Sequence, residues 1–183
     1  MAEITIAVIG SAGSISPACQ EVARHVGGYI ALRGFNLICG GLGGVMAAAC
    51  EGFKQVEGAP GKTLGYLPSY AAADANPFID IALPTGLDIG RNQLVVSSGA
   101  AVIAIGGGAG TLSEIALASQ LGKRIGLVRL CGGWAEQLPE GFLDHRQTSY
   151  MQSLDTLEAV EAFIQNCANT TMEALSVNGW SDR

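Results

Sequence analysis

The chain carries little charge, and less than half of it is positive. Of its 183 residues 14% are charged, and ten lysines and arginines stand against sixteen aspartates and glutamates, for a formal charge of −6. Recognition of a nucleic-acid backbone needs a clustered cationic surface, which ten scattered cations do not supply, so no nucleic-acid partner is expected. No CxxC pair occurs among Cys19, Cys39, Cys50, Cys131 and Cys167, an odd set set mostly in apolar patterns. Those spacings fit buried reduced thiols better than a zinc site or a disulfide framework, although Cys39 abuts a glycine turn and is the one placed to see a ligand. His25 and His145 have no metal spacing, and no metal site is expected.

Targeting and membrane signals are equally sparse. The amino terminus has acidic Glu3 and a short, mostly apolar run at 4–9 instead of a charged start and a longer apolar core, so a cytoplasmic location is expected. The uncharged stretch 92–113 is long enough to mimic a membrane span, but Ser97-Ser98 and Gly106-Gly107-Gly108 break it into helix, strand and turn. No membrane partner is expected, and neither internal repeats nor low-complexity segments occur.

What the chain does have is glycine, 26 residues of it, in a sequence that is 49% hydrophobic. Three clusters stand out: Gly10-Ser11-Ala12-Gly13, Gly40-Gly41-Leu42-Gly43-Gly44 and Gly106-Gly107-Gly108-Ala109-Gly110. Each follows a short apolar run and precedes a helical pattern. In a parallel sheet such turns lie at the carboxyl edge, where glycine lets backbone approach a ligand and helix N–H groups favour an anion.

In chain order, strands are expected at 4–9, 35–39, 63–67, 100–105 and 124–130, with further strands at 78–83 and near 148–152. Helices are expected from Ser16-Pro17 to about 33, from 45 to about 56, from about 90 to 98, over 111–121, and from Asp155-Thr156-Leu157-Glu158 onward, the tail beyond Asn169 fraying. The segment after Cys131-Gly132-Gly133-Trp134 reads as a loop. This alternation predicts one α/β domain over 1–183: a Rossmann-like, doubly wound, mostly parallel sheet with helices on both faces.

The commonest glycine motifs fail. Gly61-Lys62-Thr63 imitates the end of a Walker A loop, but Val56 stands where its first glycine belongs and a strand follows instead of preceding it. Gly41-x-Gly43 starts a dinucleotide fingerprint, but Met46 replaces the third glycine, so NAD and FAD are disfavoured. The third cluster runs into Thr111-Leu112-Ser113-Glu114. Thr111 as N-cap with Glu114 at N3 would make a capping box, yet three consecutive glycines exceed what a cap needs and fit close ligand approach. An ionised Glu114 would repel an adjacent phosphate, so it is expected to face an uncharged or cationic part of a longer ligand. Arg91, opening the third of these helices before Asn92, reads either as a solvated side chain or one paired with Asp88, or as a guanidinium facing phosphate.

With these residues together, and with Asn76-Pro77 and Pro84-Thr85-Gly86, the chain from 4 to 165 resembles the molybdenum cofactor carrier protein family, relatives of the LONELY GUY phosphoribohydrolases. The resemblance implies a homo-oligomer, dimer or tetramer, that binds a phosphate-bearing small molecule, the molybdenum cofactor, and protects it or transfers it to molybdoenzymes. It places Gly10, Ser11, Gly13, Gly41, Gly43, Gly44, Gly107, Gly108, Gly110 and Thr111 around the ligand, with Arg91, Asn92 and Glu114 beside it. As a carrier it needs no catalytic residue. In the hydrolase relatives an arginine and a glutamate matching Arg91 and Glu114 cleave the base from a nucleoside monophosphate. This chain departs from them in having Gly106 where they carry a proline and Asn92 where they carry a lysine, which favours the carrier branch.

Overall fold

The computed structural model describes the backbone of residues 4–174 and the side chains of residues 4–167. The strands are β1 (Thr5–Gly10), β2 (Asn36–Cys39), β3 (Thr63–Leu67), β4 (Ile81–Pro84), β5 (Ala101–Ile105), β6 (Arg124–Val128), β7 (Gly141–Phe142) and β8 (Tyr150–Leu154). The helices are α1 (Pro17–Leu32), α2 (Gly44–Lys54), α3 (Asn92–Ser98), α4 (Ala109–Gln120), α5 (Gly133–Gln137) and α6 (Leu157–Ala174). One sheet holds all eight strands in the order β4-β3-β2-β1-β5-β6-β8-β7, parallel throughout except for the antiparallel β7. The Rossmann-like α/β expectation holds.

The sequence explains the centre of the sheet. β5 is entirely buried, and Ile6 to Val8 of β1 are fully inaccessible, because helices cover both faces. On one face α1, α2 and α6 pack over Ile6, Val8, Leu37, Ile103 and Ile105; on the other, Val95, Val96, Ile115 and Ala118 pack over Ala7, Ile9, Val102 and Ala104. The helices α1 and α2 approach with almost no gap. A Cβ at Gly27 would stand 1.8 Å from the carbonyl oxygen of Ala49, and one at Gly52 would stand 2.0 Å from that of Arg24.

Most element boundaries fall within two residues of expectation, and the departures have local causes. The chain after Cys131 is not a plain loop but forms the short α5 and β7. The last helix is capped by Thr156 rather than Asp155: Ala159 N donates to Thr156 Oγ1 at 3.2 Å. The tail expected to fray beyond Asn169 is helical in its backbone to Ala174, and its residues 175–183 lie outside those described. Among the described residues no helix is long and apolar enough to cross a membrane.

The sheet order decides where a ligand can sit. From β1 the chain winds outward through β2, β3 and β4, then returns to the other side of β1 as β5 and continues through β6. The winding reverses between β1 and β5, and the connections leaving the carboxyl ends of these neighbours diverge there, opening a crevice.

Candidate functional site

A cleft of about 350 Å³ occupies that crevice. Its floor is the first glycine turn (Gly10, Ser11, Ala12), one wall is Leu42 and Met46, and the opposite wall is the start of α4 (Gly108, Gly110, Thr111, Glu114). Pro68, Asp88, Ile89, Arg91 and Asn92 close the remaining side. Eight of the expected binding residues therefore meet here: Gly10, Ser11, Arg91, Asn92, Gly108, Gly110, Thr111 and Glu114. Gly13 and Gly44 line a neighbouring cavity of about 730 Å³ that shares Ala12 with the cleft. Gly41, Gly43 and Gly107 lie outside the lining of the cleft.

The space around each glycine separates packing from access. A Cβ at Gly44 would fall 2.2 Å from the carbonyl oxygen of Ser11, and one at Gly43 2.9 Å from that of Ala12, so the second cluster presses the first two turns together. Val45 N donates to Ser11 O at 2.9 Å, and Asn76 Nδ2 donates to the carbonyls of Gly41 and Leu42 at 3.2 and 3.0 Å, fixing the same turn. The third cluster is different. Gly107, at φ +90, makes room for the Thr111 side chain, but a Cβ at Gly108 or Gly110 would meet nothing within 4 Å. These two glycines are bare where they face open space, which is the property a backbone cradle requires.

The helix α4 begins at Ala109 with Gly108 as its N-cap and no side-chain cap. Thr111 thus sits at N3 and Glu114 in the next turn, which removes the capping box as an explanation for either. An uncapped α-helix start leaves its first N–H groups without helical partners and with the positive end of the helix dipole, a favourable place for an anion.

Arg91 is not solvated, and its partner is not Asp88. It ends a 3-10 turn (Asp88–Arg91), is only 8% exposed, and its Nη1 donates to Glu114 Oε1 at 3.4 Å. The guanidinium lies on Gly40, where a Cβ would stand 2.2 to 2.4 Å from its carbon and both terminal nitrogens. Gly40 is thus a seat for Arg91, a role that the sequence marked only as membership of a glycine cluster. The bond to Glu114 is long for a charged pair, and Arg91 Nε is buried without a hydrogen-bond partner among the described residues. A buried orphan donor on a cation is costly and is relieved by an anionic or acceptor group entering the cleft.

Glu114 is 6% exposed, and burial pushes its carboxyl up to about 7, outweighing the opposing attraction of Arg91. Asn92 Nδ2 donates to Ser113 Oγ at 3.3 Å, and Ser113 Oγ donates to Gly110 O at 2.6 Å, tying α3 to the first turn of α4. Met46, the residue that breaks the dinucleotide fingerprint, itself lines the cleft. Leu42, Pro68 and Ile89 also line it; nothing in their sequence context distinguished them from ordinary apolar residues. His25, by contrast, is remote from the cleft and bonds to Glu161 at 2.8 Å between α1 and α6.

The chain is similar to several known proteins. The model of the SLOG cluster4 family matches residues 3–161. An uncharacterized protein of Archaeoglobus fulgidus is 42% identical over 120 residues, spanning 66% of this chain and 76% of the relative. The molybdenum cofactor binding protein of Rippkaea orientalis has a similar structure, with 30% identity, coverage of 97% of this chain and 99% of that one, and a TM-score of 0.75. The molybdenum cofactor carrier protein of Chlamydomonas reinhardtii is similar at 27% identity, with coverage of 92% and 99% and a TM-score of 0.77.

Proposed function

The chain belongs to the SLOG cluster4 family, and from that premise we propose that it binds the molybdenum cofactor and holds it for protection or transfer. The observation that carries this reading is the buried guanidinium of Arg91, whose Nε has no partner among the described residues, lining the same cleft as the start of α4, which has no side-chain cap. A phosphate accepts from both, through a guanidinium on one side and backbone N–H groups on the other. The likeness to a molybdenum cofactor binding protein and a molybdenum cofactor carrier protein supports a pterin as the rest of the ligand, which the geometry alone does not.

The cleft volume suits a small molecule. Glu114 faces an uncharged or cationic part of the ligand, since an ionised carboxylate beside the phosphate would repel it. No bond is broken in this role. The same reading extends to a cytoplasmic homo-oligomer that delivers the cofactor to molybdoenzymes.

One observation favours a second reading, a nucleoside 5′-monophosphate phosphoribohydrolase. A carboxyl group that titrates near neutrality beside an arginine is suited to proton transfer, or to stabilising positive charge developing on a ribose while Arg91 orients the phosphate. A single experiment separates the two. The protein is titrated with the molybdenum cofactor and with a panel of nucleoside monophosphates while both binding and release of free base are followed. The carrier reading expects saturable cofactor binding with no base released; base release without cofactor binding would replace it with the hydrolase.

A further inference from the structure

Beneath the seat of Arg91 lies a pair of thiols that ligand binding does not use. Cys39, the last residue of β2, and Cys50, on the inner face of α2, are both fully buried, and their sulfurs are 3.8 Å apart. Cys39 Sγ also accepts a hydrogen bond from Gly41 N at 3.3 Å. The intervening residue is Gly40, on which the guanidinium of Arg91 rests, and the turn continues into Leu42 and Met46, which wall the cleft. Cys39, the arginine seat Gly40 and the cleft residue Leu42 thus follow closely on one another where β2 leads into α2, the helix that carries Met46 and Cys50.

We propose that Cys39 and Cys50 are a redox-active dithiol whose oxidation to a disulfide by hydrogen peroxide deforms the 40–46 turn and so weakens the site's hold on its ligand. The effect on the ligand rests on the functional reading above; the disulfide and the deformation do not. The chemistry balances with peroxide as the oxidant. The Cys39 thiolate attacks one peroxide oxygen, the O–O bond breaks, and hydroxide leaves, taking up the thiol proton as water. The Cys50 thiol then displaces water from the resulting sulfenic acid and forms the S–S bond. In sum, two thiols and one peroxide give one disulfide and two waters.

The polarity of the pair suits this order of events. The hydrogen bond from Cys50 holds the Cys39 thiol below its usual range, with the Gly41 amide and the charge of Arg91 acting in the same direction against burial. That bond, with burial, raises Cys50. Cys39, whose sulfur alone of the two accepts from the Gly41 amide and lies next to the seat of Arg91, is assigned the attacking role and Cys50 the resolving one.

Closing the bond requires the sulfurs to approach from 3.8 Å to about 2.05 Å. The turn has little room to absorb this. Gly41 is held at φ +73 against the Leu67 side chain, and Asn76 clamps the carbonyls of Gly41 and Leu42. The strain falls on Gly40 and the helix start beyond it, shifting the surface that positions Arg91.

The test treats the full chain with hydrogen peroxide, maps disulfides by mass spectrometry after blocking remaining thiols, and follows backbone hydrogen exchange at residues 40–46. Expected are a Cys39–Cys50 linkage, faster exchange at 40–46, reversal of both by dithiothreitol, and absence of both in Cys50→Ser and Cys50→Ala, the second guarding against misfolding of the first. Affinity for the molybdenum cofactor is expected to fall about tenfold on oxidation. Linkage of Cys19 to Cys131 instead, over-oxidation without linkage, or a linkage that leaves exchange unchanged would overturn the proposal. Linkage and altered exchange in a protein that binds no cofactor in either state would uphold the switch and reject the carrier reading.

Discussion

Two arginine–glutamate pairs flank the 10–15 segment, one beside each of its cavities. Arg24 and Glu51 bridge α1 and α2 next to the larger cavity, with Nε donating at 2.7 Å and both side chains partly exposed. Arg91 and Glu114 bridge the 3-10 turn and α4 in the cleft, at 3.4 Å, with both side chains buried and Arg91 Nε unpaired. The exposed pair is short and relaxed; the buried one is long and incomplete. Water screens the first, so it contributes little to stability and nothing to recognition. The second is desolvated without full compensation, a cost that the proposed function assigns to binding an anionic ligand.

The largest expected difference between the pairs is in binding. Arg91→Ala should weaken affinity for the molybdenum cofactor about 100-fold, measured by equilibrium titration, because it removes the charged donor from a desolvated site. Unchanged affinity would place the ligand elsewhere.

The second difference is in pH dependence. Because Glu114 titrates near 7 in the folded protein, above its ordinary 4.5, the folded state holds an extra proton between those values. Stability is therefore lost as pH rises through that window, on the order of 3 kcal/mol in all. Glu114→Gln should abolish this loss, so urea denaturation at pH 4 and pH 8 should show the variant gaining on the parent as pH rises. A constant difference across that range would mean that Glu114 is not desolvated.

A third, smaller effect isolates the seat. Gly40→Ala places a methyl group against the guanidinium of Arg91, the far end of a flexible side chain, which moves more easily than the backbone. Cofactor affinity should fall about tenfold with the far-UV circular dichroism unchanged. The smallest effect completes the comparison: Arg24→Ala should leave both cofactor affinity and the urea midpoint where they are, and a measurable loss of binding would show that the larger cavity also takes part.

Much of the fold was legible because its signals are local. Apolar runs, the Ser16-Pro17 start and the glycine turns placed the elements that build the sheet to within a few residues, and the third cluster pointed to a helix start that lines the cleft. α5 and β7 were not legible, being only five and two residues long and lacking any period to detect. The start of α4 was missed by two residues because its N-cap, Gly108, has no side chain to announce it, and that displacement removed the alternative reading of Thr111 and Glu114 as a capping box. Glycine itself was ambiguous. Gly44 and Gly110 look alike in sequence, but one is bare because a carbonyl presses on it and the other because nothing does.

By itself, then, the sequence determined a succession of strand, glycine turn and helix, and hence a ligand edge at the carboxyl ends of parallel strands. The tertiary structure decided that the chain reverses between β1 and β5, that Gly40 carries Arg91, and that Arg91 meets Glu114, 23 residues away, where both are buried. Periodicity and turn chemistry act between near neighbours and can be read along the chain. Desolvation and an unmet hydrogen bond depend on everything packed around a group, so they exist only once the chain has folded.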